Sequence, residues 1–147
     1  MEVSVKKTIV CVDALAVRTN PDGSQDILLI TRGRGPNKGC FAFPGGHLEY
    51  NEDPEIAVLR ELKEETTLEG KNLGLFAVKG KAGRDPRGHT VSIVYLVEVD
   101  PKAVPKGEDD AESAKFYPIK DLIGKKDSFA FDHYEIFEEY VNKNSKK

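Results

Sequence analysis

"GHLEYNEDPEIAVLRELKEETTL", residues 46–68, carries the most information per residue in the chain. Asp53 stands where a helix N-cap belongs, Pro54 takes the first helical position and Glu55 the first turn, so the spacing predicts a helix from about Asp53 to about Thr66. On that helix Glu61, Glu64 and Glu65 share one arc of about 100°, because positions i, i+3 and i+4 are surface neighbours. Like charges at that spacing repel by a few tenths of a kcal/mol per pair in water. A solvated face with an Arg60–Glu64 pair would account for an ordinary acidic helix. Here Val58, Leu59 and Leu62 fill the adjacent arc and put Glu65 at the rim of the buried stripe. Gly45 and Gly46 precede the helix and allow a tight backbone turn, and Glu52 adds a fourth acid near its start. Carboxylates crowded in this way make sense around a divalent cation. Oxygen donors without histidine or cysteine favour Mg²⁺ or Mn²⁺ over zinc.

Outward from this segment, "KKTIVCVDALAV" reads as a long, largely buried strand. "TNPDGSQD" turns into a second strand, "ILLITR", making a hairpin. "GRGPNKGCFAFPGGH" is rich in glycine and proline, with a short aromatic strand from Phe41 to Phe43. Beyond the helix, "NLGLFAVKGKAG" and "HTVSIVYLVEVD" are two strands joined through "RDPRG". "PKAVPKGEDDAES" is a charged loop, "AKFYPI" a short strand and "KDLIG" a helical turn. "DHYEIFEEYVNK" is a terminal helix with Ile136, Phe137, Tyr140 and Val141 inward, and the tail "NSKK" is expected to fray. Strands around one central helix, followed by more strands and a last helix, predict α/β or α+β layering.

The 147 residues suit one domain, 1–147, with a single core. A net charge of −3 supplies no basic field for nucleic acid or an anionic membrane, so an anionic ligand needs local cations. "MEVSVKKTIVCV" is too short and too charged for a secretory signal. No apolar run approaches the ~20 residues that span a bilayer. Cys11 and Cys40, with small or apolar neighbours, read as free, buried thiols of a reducing compartment. These features predict a cytoplasmic protein without nucleic-acid or membrane partners; a monomer and a homodimer are equally compatible with them.

Counted from Gly46, the segment is G, five residues, E, seven residues, then R-E-L-K-E-E-T-T-L, which resembles the Nudix box. Gly46, Glu52, Arg60, Glu61, Glu64 and Glu65 match its fixed positions, and Leu62 and Leu68 its aliphatic ones. Six fixed residues at fixed offsets arise by chance in fewer than roughly one window in ten million at ordinary residue frequencies. Thr67 stands where the box has glycine; a β-branched residue disfavours φ > 0, which predicts a locally different turn out of the helix. The resemblance implies the Nudix fold, a mixed β-sheet sandwiched between α-helices. It also implies hydrolysis of a nucleoside diphosphate linked to another group, with Mg²⁺ or Mn²⁺ held by Glu61, Glu64, Glu65 and the carbonyl of Gly45. Arg60 would orient a glutamate and Glu52 would brace the loop against the helix. The general base would be Glu64 or an acid of "GEDDAES" (Glu108, Asp109, Asp110, Glu112), with Glu112 preferred because related enzymes carry a glutamate in that loop.

"GRDPRGHTVSIVYLVEV" and "FAFDHYEIF" resemble the ADP-ribose pyrophosphatase branch of the family, which implies a small nucleotide as substrate: ADP-ribose, cleaved to AMP and ribose 5-phosphate. Arg84 and Arg87 would meet phosphates or the terminal ribose, since guanidinium forks suit phosphate oxygens; two surface arginines flanking a turn would look the same. Arg32 and Arg34 are near enough in sequence to assist, and His89 could hydrogen-bond the ligand or serve the strand it begins. Phe41 or Tyr95 could stack on adenine or pack the core. The alternatives are a house-cleaning hydrolase of nucleoside triphosphates and a non-catalytic domain that senses a nucleotide.

Overall fold

The computed structural model describes residues 6–145. In chain order the elements are β1 (Ile9–Thr19), β2 (Gln25–Arg32), β3 (Phe41–Ala42), β4 (Gly45–His47), α1 (Pro54–Thr66), β5 (Gly70–Lys79), β6 (Thr90–Val99), β7 (Ala111–Pro118), α2 (Ile119–Leu122) and α3 (His133–Ser145), with a 3-10 turn at Lys126–Ser128. β1 lies parallel to β6 from Ile9 to Ala16, β5 pairs antiparallel with β6, and β7 pairs antiparallel with β2. The sheet is therefore mixed, and helices cover both faces, as the α/β-or-α+β reading anticipates.

Alternation along β1 builds the two layers. Val12, Ala14 and Ala16 point to the α1 side, where they meet Ala57, Val58 and Leu62. Leu15 points the other way, into a cluster with Ile27, Leu29, Val94 and the inner face of α3 through Ile136, Phe137 and Tyr140. Successive strand residues face opposite sides, so one strand feeds both cores. Each large side chain buried this way contributes roughly 1.5–3 kcal/mol.

The feature that makes room for a site is a split in the sheet. Cys11–Asp13 of β1 pair with β4, while Val17–Thr19 pair with β2. Between them the Ala14 N–H donates to Pro44 O at 2.8 Å. The chain from β3 to β4 thus crosses the gap and leaves a cleft.

Several local expectations change. β7 begins at Ala111, so Glu112 sits on a strand at an exposed position rather than in the loop. Gly45–His47, read as turn, pairs as a strand. The aromatic strand stops at Ala42, and Phe43 is buried beyond it. Thr67 does not alter the exit from α1: it adopts φ +66°, and its N–H donates to Lys63 O at 2.9 Å, the closure a glycine would make. Of the tail, Asn144 and Ser145 continue α3, and the rest of "NSKK" lies outside the described residues. Phe41 packs against Tyr117 and Phe129, and Tyr95 is buried on the α1 side; both are core aromatics, not stacking surfaces.

Candidate active site

A cavity of about 320 Å³ opens at the split in the sheet. At one end α1 presents its acids to the glycine turn of β4. The Gly45 N–H donates to Glu65 Oε1 at 2.7 Å, and a Cβ built on Gly46 would come within 2.6 Å of the Glu61 carboxylate. A Cβ on Gly45 would run into Val12 O and Asp13 Oδ1. The glycines are required by close approach on both sides of the backbone.

Glu65 is 6% exposed. Burial pushes its carboxyl up to about 8, assisted by the negative charges of Glu61, Asp13 and Asp110 and opposed by the Gly45 N–H. Burial raises Glu61 as well, against the pull of Arg60. Arg60 organises the remaining acids. Its Nε and Nη2 donate to Glu52 at 2.6 and 2.9 Å, and its Nη1 donates to Glu61 at 3.0 Å and to both oxygens of Glu64 at 3.1 Å. Glu64, 43% exposed at its side chain, is thereby turned toward Arg60. Accordingly, among the described residues, no three His, Cys, Asp or Glu side chains are grouped tightly enough to ligate one ion. The donors still suit a hard divalent cation: all are carboxylate oxygens, and two of them pay a burial penalty that a nearby positive charge would remove.

Arg32, Arg34 and Arg87 line the cavity with Glu61 and Glu65, whereas Glu64 does not line it. Arg34 Nη2 donates to Asp110 at 2.8 Å across the mouth, and Arg87 is held by Asp85 through Nη2 at 2.8 Å. Arg84 also lines the cavity, but its side chain is only 5% exposed. It donates to both oxygens of Asp132 at 2.8 and 2.6 Å and to Ser92 Oγ at 2.9 Å. Most of its donors are spent, so Arg84 braces the wall and is not a free phosphate contact. His89 is exposed, with Nε2 at 2.8 Å from Gly80 O, and does not line the cavity. Glu112 does not line it either; Asp109 and Asp110, from the same segment, do. That segment is anchored to the end of α1 by Lys106 N–H and Glu108 N–H, which donate to Thr66 O and Glu65 O at 3.0 Å.

No floor residue is assigned a role by the sequence, although "FAFDHYEIF" contains two of them. Asp13, Ser92, Phe131 and His133 line the floor, with the half-buried thiol of Cys11, which burial pushes up to about 12. Cys11 and Cys40 are free but half-buried rather than buried. Burial raises Asp13 and lowers His133. The His133 Nδ1 accepts the Phe43 N–H at 3.1 Å, so the neutral ring carries its proton on Nε2. Asp13 sits in an apolar strand and His133 opens an amphipathic helix, so neither position carries a periodicity signal. The available signals were the polarity of Asp13 amid "IVCVDALAV" and the stretch "FAFDHYEIF", which holds Phe131 and His133.

The chain is similar to known proteins in sequence and in fold. A family model described as the NUDIX domain matches residues 11–140. An ADP-ribose pyrophosphatase of Methanocaldococcus jannaschii is 43% identical over 128 residues, covering 87% of this chain and 73% of that protein. Among solved structures, the NUDIX domain of Shewanella oneidensis NrtR complexed with ADP ribose superposes with a TM-score of 0.79 at 26% identity, covering 95% of this chain and 90% of that one. A bifunctional NMN adenylyltransferase/ADP ribose pyrophosphatase of Francisella tularensis, complexed with AMP and Mn ion, gives 0.81 at 29% identity over 96% of this chain; the chain spans 43% of that protein.

Proposed function

Because the chain belongs to the Nudix family, we propose that it is a single-domain, divalent-metal-dependent pyrophosphohydrolase that cleaves ADP-ribose to AMP and ribose 5-phosphate. The observation that carries this is the pairing of Glu61 and Glu65 with the Gly45–Gly46 turn inside a cavity flanked by Arg32, Arg34 and Arg87. The 43% identity to an ADP-ribose pyrophosphatase supports the choice of substrate.

Glu61, Glu64, Glu65 and the Gly45 carbonyl would hold Mg²⁺ or Mn²⁺, with Glu64 released from Arg60. Bound there, the ion would neutralise pyrophosphate charge and acidify a water. Arg60 keeps the acids in register through Glu52, and Arg32, Arg34 and Arg87 attract the diphosphate electrostatically. Asp109, which makes no side-chain hydrogen bond or ion pair among the described residues, is the better-placed proton acceptor than Glu112. The proposed partner is a small nucleotide; separately, among the described residues no helix is long and apolar enough to cross a bilayer. A homodimer would have Leu73, Leu75 and Val78, exposed on the sheet-edge strand β5, to bury.

Incubation of purified protein with ADP-ribose and Mg²⁺, followed by chromatography, tests the proposal: AMP and ribose 5-phosphate should accumulate and EDTA should stop them. Pyrophosphate released from a nucleoside triphosphate, with ADP-ribose untouched, would move the protein to the house-cleaning class. The NrtR likeness keeps a sensing role in view; tight ADP-ribose binding without turnover in either metal would select it.

A further inference from the structure

Phe131 sits in the cavity wall with φ +52°, a left-handed conformation that a phenylalanine adopts only at a cost. Independent ties hold it there. Asp132 is gripped by both forks of Arg84, His133 accepts the Phe43 N–H, and the Ala130 N–H donates to Phe41 O at 2.8 Å. One side of the ring packs on the small cluster of Ile30, Ala42 and Ala130. The guanidinium carbons of Arg32 and Arg87 lie over the ring, 5.0 and 5.2 Å from its centroid, so a base that stacks there takes the place of one of these cations. The ring has no polar atom to offer a phosphate or a sugar, yet it is kept strained in a polar cavity. Beside it, Asp13 and His133 are both more than nine-tenths buried and line the same space. The Asp13 carboxylate is hydrogen-bonded by Ser92, and the His133 Nδ1 by the Phe43 N–H. A planar apolar face next to polar groups suits a heteroaromatic ring with hydrogen-bonding edges.

We propose that Phe131 is the platform on which the nucleobase of the substrate stacks, that Asp13 and His133 meet the edge of that base, and that Arg84 is a positioning residue that holds the platform through Asp132. The inference rests on the ADP-ribose reading only for the choice of adenine as the base.

Calorimetry on the full chain in magnesium buffer, with AMP and ribose 5-phosphate as probes, tests it. Wild-type protein should bind AMP more tightly than ribose 5-phosphate. Phe131→Leu should weaken AMP by about tenfold or more, the scale of a lost base–aromatic stack, and leave ribose 5-phosphate within about twofold. Phe131→Tyr, which keeps the ring, should restore AMP. Equal loss of both probes in Phe131→Leu, no loss of AMP, or a wild type that does not prefer AMP would each overturn the platform. The two readings fail separately: ADP-ribose turnover with AMP binding insensitive to Phe131→Leu sinks the platform alone, and no turnover with AMP binding that needs the ring sinks the hydrolase alone.

Discussion

The amide of Gly45 donates to the carboxylate of Glu65 across 2.7 Å, fastening the last turn of α1 to the glycine turn of β4. That bond satisfies part of a nearly buried acid, and the rest of its charge is left to the surroundings.

Metal-free protein should therefore lose stability as pH rises. Glu65 has an ordinary value of 4.5 and is pushed up to about 8 by burial. A carboxyl raised by folding binds its proton more tightly in the native state, so native protein carries more protons than unfolded chain between those values. Stability then falls across that window, by no more than about 1.4 kcal/mol per pH unit for one proton. Thermal melts in EDTA from pH 5 to 8 should show the decline, and saturating Mg²⁺ should flatten it. A metal-free melting temperature that climbs steadily through this range would contradict the assignment.

The two glycines should fail differently. Gly45→Ala forces a methyl into the backbone oxygen of Val12, which cannot move without breaking β1, so a loss of about 2 kcal/mol or more is expected. Gly46→Ala meets only the end of the Glu61 side chain, which can swing away. Its melting temperature should change little while Mn²⁺ affinity drops. Chemical denaturation and metal titration of both variants separate the outcomes.

Arg60→Ala should cost more than a surface pair. It strips partners from Glu52, Glu61 and Glu64 together, and the first two are largely shielded from water. A loss of about 1–3 kcal/mol is expected, partly recovered when Glu52→Gln is combined with it. Denaturant unfolding of the single and double variants measures the coupling; strictly additive losses would mean that Arg60 and Glu52 act independently.

The acid-lined end of the site could be read from the chain because it rests on one helix, where spacing translates directly into a shared face. β1 reads in the sequence only as a long, largely buried strand of a single core; that its alternation feeds two clusters emerges from the fold. The floor could not be read either, since it joins Asp13, Ser92 and His133 from three distant elements, and only the split of β1 between β4 and β2 brings them together. Arg84 and Arg87 illustrate the limit: three positions apart in one turn, one is consumed by Asp132 and the other, held by Asp85, lines the cavity half-exposed. Side-chain type alone does not separate a ligand contact from a brace.

Thr67→Gly should stabilise the protein. Thr67 holds φ +66°, its side chain is exposed, and its N–H closes the helix in any case. Removing the β-branched strain should outweigh the extra freedom of glycine in the unfolded chain by about 1 kcal/mol, or roughly 2–4 °C in melting temperature. An unchanged or lower melting temperature would show that the turn tolerates threonine without strain.

The proton acceptor can be assigned by comparing three acids in steady-state kinetics and Mn²⁺ titration. Glu112 lies exposed on β7, outside the cavity, so Glu112→Gln should keep turnover within a few-fold of wild type. Glu64 holds Arg60 with both oxygens and is a proposed metal ligand, so Glu64→Gln should weaken metal binding and turnover together. Asp109 lines the cavity, and its charge is felt by Glu61. Asp109→Asn should therefore lower kcat by about two orders of magnitude with Mn²⁺ affinity retained, the signature of a lost base rather than a lost ligand. A collapse of turnover in Glu112→Gln, with Asp109→Asn near wild type, would return the role to Glu112 and require the segment before β7 to rearrange when substrate binds.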